Sequence, residues 1–195
     1  FGMYAFSTQV NAGRLLSISR DNDFTLDLNA ICNAIDDTTK VIFLASPNNP
    51  SGDIVQERDV LALLNENILV VIDETYFEFS GYSVSHLISE HPNLVVLRTM
   101  SKWAGLAGLR IGYALAAPEL IQLLMEIKQP YNINAAAEVA LLASLGDLDY
   151  LKNNVAAIIS EREKLFSQLC CIDGITPRPS HGNFILCEIS GGMTS

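Results

Sequence analysis

The sequence predicts an α/β fold in which a mainly parallel sheet is flanked by helices. The first observation is that short, continuous apolar runs alternate along the chain with segments whose apolar residues recur at helical spacing. Strands and helices that alternate in this way typically form a parallel sheet. The second observation is the composition: 49% of the 195 residues are hydrophobic and 17% are charged, which is typical of a chain with a large buried core.

The first half of the chain is predicted to contain four strands and three helices. The helix predictions depend on apolar residues spaced three and four positions apart, such as Leu28, Ile31 and Cys32, which share one face of a helix. Continuous apolar runs suit strands that are buried on both faces. The strands are expected at residues 15–18, 41–44, 68–72 and 94–97, and the helices at residues 28–35, around 60–64 and near 83–90, with a turn at 47–52.

The second half is predicted to add two strands and three helices. Pro118 suits the first turn of a helix, where its missing N–H has no helical partner. A strand at residues 109–115 is expected to run antiparallel to its neighbour, because the loop after Lys102 is too short for a crossover. The helices are expected to begin at Pro118 and to span residues 134–145 and about 147–171, and the last strand to span residues 183–189.

The character of the sequence changes near residues 128–132. We interpret residues 1–130 as a large domain that is incomplete at its N-terminus. Residues 131–195 are interpreted as interdomain helices followed by part of a small α+β C-terminal domain. The sequence does not begin with methionine and ends just after a predicted strand, so we expect it to be part of a longer chain.

Charge and residue pattern disfavour several classes of function. The net charge of −10 would repel nucleic acid and anionic membranes, and no apolar run is long enough to span a bilayer. The four cysteines and three histidines show no spacing typical of a metal site. We therefore expect no nucleic-acid, membrane or metal partner, and a reducing compartment: the cytoplasm, or the plastid stroma in a plant or alga.

Polar side chains follow three of the predicted strands. Ligands of open α/β sheets bind beyond the carboxyl ends of the strands, so these residues are expected to share one edge. Arg110 would reach the same edge at the start of the antiparallel strand. The residues after the three strands are Asn48 and Asn49, then Asp73, Glu74 and Tyr76, and finally Arg98, Thr99, Ser101 and Lys102.

This set of side chains suits pyridoxal 5'-phosphate (PLP). That cofactor requires a lysine amine for its aldehyde and a carboxylate for its pyridine nitrogen. A tyrosine hydroxyl and an asparagine amide can bond its phenolate oxygen, and an arginine with nearby hydroxyls can bind its phosphate. Each residue alone has an ordinary structural explanation, such as a turn for Asn49 before Pro50. Their position at one edge favours a common function.

Four motifs resemble those of the fold-type-I PLP aminotransferases. The resemblance covers essentially the whole chain, and residues 128–132 and 180–184 are similar to the histidinol-phosphate branch of that family. The motifs are SPNNPSG at residues 46–52, DETY at residues 73–76, RTMSK at residues 98–102 and AGLR at residues 107–110.

The resemblance implies catalytic roles for three residues. Lys102 would hold PLP covalently and, once freed, would transfer a proton as general base and acid. Asp73 would bond the pyridine nitrogen, and Tyr76 would bond the phenolate oxygen together with Asn49.

The resemblance also implies the remaining cofactor contacts. Arg110 would clamp the phosphate, with Ser101 and Thr99 beside it. Phe1 would stack on the pyridine ring, because it is similar to the first aromatic residue of the corresponding family segment.

The activity implied is transamination of L-histidinol phosphate with 2-oxoglutarate in histidine biosynthesis, by a homodimer. Its partners would be small molecules: an amino donor that is a phosphate ester, 2-oxoglutarate and glutamate. The alternatives are a threonine-phosphate decarboxylase, an aminotransferase with another substrate, and an inactive fragment that serves as an interaction partner.

Overall fold

A four-stranded sheet lies at the centre of the computed structural model, which describes residues 2–131 and 133–190. Its strands are β1 (Val41–Ala45), β2 (Leu69–Asp73), β3 (Leu94–Thr99) and β4 (Gly112–Ala116), and they lie side by side in that order. The pairs β1–β2 and β2–β3 are parallel, and β3–β4 is antiparallel. The mainly parallel sheet and the antiparallel fourth strand are both confirmed.

Helices connect and follow these strands. Asn134 begins one of them by accepting a hydrogen bond at 2.9 Å from the backbone N–H of Ala137, as expected for an N-cap. None of the helices in the described part of the chain is both long and apolar enough to cross a membrane. The helices are α1 (Gly2–Val10), α2 (Leu28–Ala34), α3 (Glu57–Leu64), α4 (Phe77–Ser80), α5 (Pro118–Ile127), α6 (Ala135–Gly146) and α7 (Leu148–Leu169).

The main core lies where α2 and α3 pack on the sheet. Val60 and Leu63 of α3 are fully buried, as are Val70 of β2 and Leu94 and Val96 of β3. A leucine or valine that is fully buried stabilises the fold by about 1.5–3 kcal/mol. The buried apolar face of α3 therefore helps to hold the sheet in place.

A two-stranded antiparallel sheet follows α7. It pairs β5 (Ile175–Pro177) with β6 (Cys187–Ile189). The last predicted strand, at residues 183–189, is therefore shorter than expected, because residues 183–186 belong to the connection between β5 and β6. The short strand β5 was not predicted, since Gly174 just before it and Pro177 within it are unusual in a strand.

The strand predicted at residues 15–18 is wrong. This segment has no regular secondary structure, and Leu15, Leu16 and Ile18 are 45%, 48% and 39% exposed. An apolar run becomes a strand only when another strand supplies hydrogen bonds to its backbone, and none of the described strands pairs with this segment.

Three further predictions need correction. The helix near residues 83–90 is a 3₁₀ helix at Ser85–Ser89. Strand β1 is buried on one face only, because Val41 and Phe43 are 37% and 39% exposed. Strand β4 begins at Gly112, so Arg110 does not open it: a 3₁₀ turn at Ala107–Leu109 comes first.

Candidate functional site

The carboxyl ends of β1, β2 and β3 meet at one edge of the sheet. Asp73, the last residue of β2, pairs in register with Ala45 of β1 and Leu97 of β3. The antiparallel β4 starts at the same edge, where Gly112 pairs with Thr99. The predicted convergence of polar residues on one edge is therefore confirmed for the backbone that carries them.

Asn49 and Tyr76 come together after β1 and β2. The Nδ2 atom of Asn49 donates to the hydroxyl oxygen of Tyr76 at 3.0 Å. Tyr76 is buried, and its ring packs edge-on against Phe184 with the ring centroids 5.0 Å apart. Because an asparagine amide has two N–H groups and a tyrosine has one O–H, each residue keeps one proton that could bond an anionic oxygen.

Lys102 lies beside the same tyrosine. Its Nζ atom is 5.7 Å from the centroid of the Tyr76 ring, and the side chain is exposed. The amine therefore lies over the face of the Tyr76 ring and is open to solvent, where it could react with a carbonyl group.

The chain that leads to Lys102 is fixed by Thr99. The Oγ1 atom of Thr99 lies 3.0 Å from the carbonyl oxygen of Ile111 and 2.9 Å from the Oγ of Ser101. It also accepts a hydrogen bond at 3.1 Å from the backbone N–H of Ser101. These contacts hold the two hydroxyl groups next to each other, three residues and one residue before the lysine.

Both oxygens of the Asp73 carboxylate accept hydrogen bonds. Oδ1 accepts from the backbone N–H of Thr75 at 3.0 Å and from its hydroxyl at 2.5 Å. Oδ2 accepts from the hydroxyl of Tyr4. Oδ1 thus has two donors and Oδ2 has one, so Oδ2 can take a further donor, and Asp73 could still bond a protonated ring nitrogen.

Tyr4 is a site residue that sequence reasoning missed. Its ring stacks on Phe43 of β1 with the centroids 4.6 Å apart and the planes at 19°. Burial raises the pKa of the Tyr4 hydroxyl well above its ordinary value, and the bond to Asp73 and the charge of Asp73 add to the shift. The segment containing Tyr4 was singled out for Phe1 alone, because α1 was not predicted and its face toward Phe43 was therefore unknown.

Arg110 lies beside this edge but does not contact the hydroxyls. Its backbone is in the left-handed region, with φ 58° and ψ 47°. Its Nη1 atom donates at 2.9 Å to the carbonyl oxygen of Ala107, in its own turn. The next residue, Ile111, contacts Thr99, so the Arg110 backbone is close to the predicted phosphate position while its guanidinium is exposed.

A buried ion pair holds β2 and β3 together just behind the site. Arg98 donates to the Oε2 of Glu74 from Nε at 3.0 Å and from Nη2 at 2.8 Å, and it lies 3.7 Å from the centroid of the Phe77 ring. Glu74, only 1% exposed, also accepts from the hydroxyl of Ser83 and the backbone N–H of Val84. These two residues, which were expected at the edge, bond each other and fix the ends of their strands.

Residues far along the chain complete the wall of the site. The backbone N–H of His181 donates at 2.9 Å to the carbonyl oxygen of Gly52. Gly52 has φ +80°, and a β-carbon built on it would lie 2.4 Å from the Oγ of Ser180. The turn that carries Asn49 therefore lies directly against the segment that brings Phe184 to Tyr76.

The predicted site residues thus fall into three groups. Asn49, Tyr76 and Lys102 form the first group. Thr99 and Ser101, just before Lys102 in the chain, form the second. Asp73, the last residue of β2, is the third. Arg110 is near by through its backbone. Phe1 lies outside the described residues. A reactive amine, a carboxylate acceptor and paired donors are together a set that could hold an aromatic aldehyde with a basic ring nitrogen.

Comparison with known proteins agrees with this arrangement. The family model described as aminotransferase class I and II matches residues 1–190. A histidinol-phosphate aminotransferase of Roseiflexus castenholzii is 48% identical over 193 residues, which are 98% of this chain and 52% of the relative. A chloroplastic histidinol-phosphate aminotransferase of Nicotiana tabacum is 46% identical over 195 residues, which are 99% of this chain and 47% of the relative.

Solved structures show the same fold. Histidinol-phosphate aminotransferase from Sinorhizobium meliloti, in complex with pyridoxal-5'-phosphate, has a TM-score of 0.85 at 28% identity and covers 98% of this chain and 53% of its own. L-threonine-O-3-phosphate decarboxylase from Porphyromonas gingivalis has a TM-score of 0.80 at 24% identity. The match covers 98% of this chain and 58% of the decarboxylase chain. The chain spans about half the length of the curated relatives that it matches.

Proposed function

Because the chain belongs to the aminotransferase class I and II family, we propose that it carries a PLP site and that the protein transfers the amino group of L-histidinol phosphate to 2-oxoglutarate. The observation that carries the proposal is the cluster of Asn49, Tyr76 and Lys102 beside the carboxylate of Asp73. It contains the amine, the two donors and the acceptor that PLP requires.

Lys102 is the centre of the proposed chemistry. Its Nζ would hold PLP covalently through the aldehyde carbon, and the amine freed by the substrate would take the proton from the substrate α-carbon and deliver it to that former aldehyde carbon. Bound PLP supplies the electron sink that makes this α-proton removable. The exposed position of Lys102 beside Tyr76 lets the amine exchange with a substrate amine from solvent.

The other residues hold the ring and its phosphate. Asp73 keeps a proton on the ring nitrogen through Oδ2, and Asn49 and Tyr76 donate to the phenolate oxygen. Thr99 and Ser101 offer hydroxyls to the phosphate, and Arg110 reaches it by turning its guanidinium away from the carbonyl of Ala107. A guanidinium with hydroxyls beside it is a strong and directional phosphate site.

The substrate proposal is supported by the relatives. Two proteins named histidinol-phosphate aminotransferase are 46% and 48% identical to almost the whole chain. The likeness to the decarboxylase, at 24% identity, supports the fold alone. We also infer that residues 1–130 belong to the large domain, that residues 131–195 form interdomain helices and the start of a small domain, and that the protein is a homodimer.

The proposal is tested by Lys102→Ala in the full-length protein. We expect wild-type protein to bind PLP with a visible chromophore that borohydride fixes to Lys102, and to form glutamate from L-histidinol phosphate and 2-oxoglutarate. Lys102→Ala should fold, lose the fixable adduct and lose glutamate formation. The matched control is Lys152→Ala, an exposed lysine on α7, which should behave as wild type.

Two outcomes would contradict the proposal. Undiminished turnover by Lys102→Ala would remove the lysine from the reaction. Release of carbon dioxide from added L-threonine-O-3-phosphate, without consumption of 2-oxoglutarate, would replace the transaminase by the decarboxylase.

A further inference from the structure

One oxygen of the Asp73 carboxylate has local hydrogen bonds and the other has a long-range one. Those of Oδ1 come from Thr75, two residues later, and belong to the local turn. The contact of Oδ2 comes from Tyr4, 69 positions earlier in the chain. The local contacts form wherever this turn forms, whereas the Tyr4 contact depends on how α1 lies against the sheet.

Tyr4 is held independently of its hydroxyl. Its ring stacks on Phe43, and Phe43 pairs in register with Val71, two residues before Asp73. The hydroxyl is therefore presented from a fixed platform on the strand next to β2. Because burial and the neighbouring carboxylate raise the pKa of Tyr4, the hydroxyl keeps its proton and remains a donor to Asp73 throughout the neutral range.

We propose that Tyr4 is a positioning residue that sets the orientation of the Asp73 carboxylate toward the cofactor's ring nitrogen. This inference rests on the proposed function, since it concerns the same site. A carboxylate bonded at Oδ1 alone can rotate and move Oδ2. With the Tyr4 hydroxyl on Oδ2, both oxygens are fixed before the cofactor arrives, and Oδ2 keeps an acceptor position for the ring nitrogen.

A positioning role for Tyr4 can be distinguished from a role in supporting the fold by comparing its effect on two ligands. A group that acts through Asp73 affects only ligands that bond Asp73. PLP has a ring nitrogen, and its 1-deaza analogue has a carbon atom in that position with the phosphate, the phenolate oxygen and the aldehyde unchanged. Tyr4 should therefore matter for PLP and not for the analogue.

The experiment measures the dissociation constants of PLP and of 1-deaza-PLP for the full-length apoprotein and its variants. Tyr4→Phe keeps the ring that stacks on Phe43 and removes the hydroxyl. We expect it to bind PLP roughly 10-fold more weakly, as for the loss of one hydrogen bond to a charged group, and to bind the analogue as wild type does. Tyr150→Phe, an exposed tyrosine on α7, is the matched control and should change neither constant.

A second measurement places Tyr4→Phe in an Asp73→Asn background. If Tyr4 acts through Asp73, the double variant should bind PLP no more weakly than Asp73→Asn alone. Equal weakening for PLP and the analogue, or unchanged affinity for both, would overturn the inference. Failure of the wild-type protein to bind PLP would instead overturn the proposed function, so the two failures are distinct.

Discussion

Arg110 combines a left-handed backbone with an exposed guanidinium. A residue other than glycine in this region is strained by about 1–3 kcal/mol, and such residues concentrate at functional sites. Arg110 ends the turn before β4, and the next residue, Ile111, contacts Thr99. The bond of Arg110 to the carbonyl of Ala107 is exposed and therefore weak, so the side chain is free to exchange it for a phosphate.

The contribution of Arg110 to PLP binding can be measured by substitution. Arg110→Ala should weaken PLP binding by about 1.5–3 kcal/mol, the usual contribution of hydrogen bonds to a charged group. A PLP titration followed by absorbance measures it. Arg58→Ala, an exposed arginine, serves as the control, and an unchanged affinity in Arg110→Ala would exclude Arg110 from the phosphate site.

At the scale of elements, the ends of β2 and β3 are held by the ion pair between Glu74 and Arg98. Both side chains are almost fully buried, so each charge depends on the other. Breaking a buried pair by removing one partner leaves an uncompensated charge and costs about 3–5 kcal/mol. The pair thus fixes the spacing between Asp73, which precedes Glu74, and Lys102, four residues after Arg98.

We therefore expect Arg98→Met to lower the free energy of unfolding by about 3–5 kcal/mol. Urea unfolding measures this loss, and the exposed Arg58→Met should change stability by no more than ~0.5 kcal/mol. The double variant Glu74→Gln with Arg98→Met should be more stable than Arg98→Met alone, because no buried charge is left unpaired. If it is no more stable, the uncompensated charge is not the cause of the loss.

The sequence predicted most elements well because their apolar patterns are local. The spacing of Val60, Leu63 and Leu64 places α3, and two short apolar runs place the paired strands β1 and β2. Residues 15–18 have an equally apolar pattern and form no strand, because pairing depends on a neighbour that local pattern does not reveal. The role of Tyr4 could not be predicted, since its contact with Asp73 depends on the tertiary position of α1.

At the scale of the whole molecule, stability depends on pH through Glu78. This half-buried carboxyl group lies on α4 near Glu74 and Arg98, and its Oε2 has no hydrogen-bond partner among the described residues. Burial raises the pKa of Glu78 to about 7, and the charge of Glu74 adds to the shift while Arg98 opposes it. Folding therefore favours the protonated form.

The sign of the pH dependence follows from this shift. Below about pH 4.5 Glu78 is protonated in both states, so its burial costs nothing in ionisation. Between about pH 4.5 and 7 the folded state binds the extra proton, and stability falls as pH rises. Because the group is partly exposed to solvent, we expect a total loss of about 1–2 kcal/mol rather than the full value of the shift.

Glu78→Gln should remove this part of the pH dependence. We compare the free energy of unfolding of the variant with that of wild type. This difference should favour the variant by about 1–2 kcal/mol more at pH 8 than at pH 4.5. Urea unfolding at the two pH values measures the difference, with Glu126→Gln on the exposed face of α5 as the control. A difference between variant and wild type that does not change with pH would show that Glu78 titrates normally.

The contact between Gly52 and Ser180 limits which sequences this molecule can accept. An alanine at position 52 would need both a left-handed backbone and room that Ser180 already fills. No local adjustment satisfies both conditions, so the added methyl group would act as a wedge between the turn of Asn49 and the segment of Phe184. A single carbon atom at position 52 would thus disturb the phenol of Tyr76 from both sides at once.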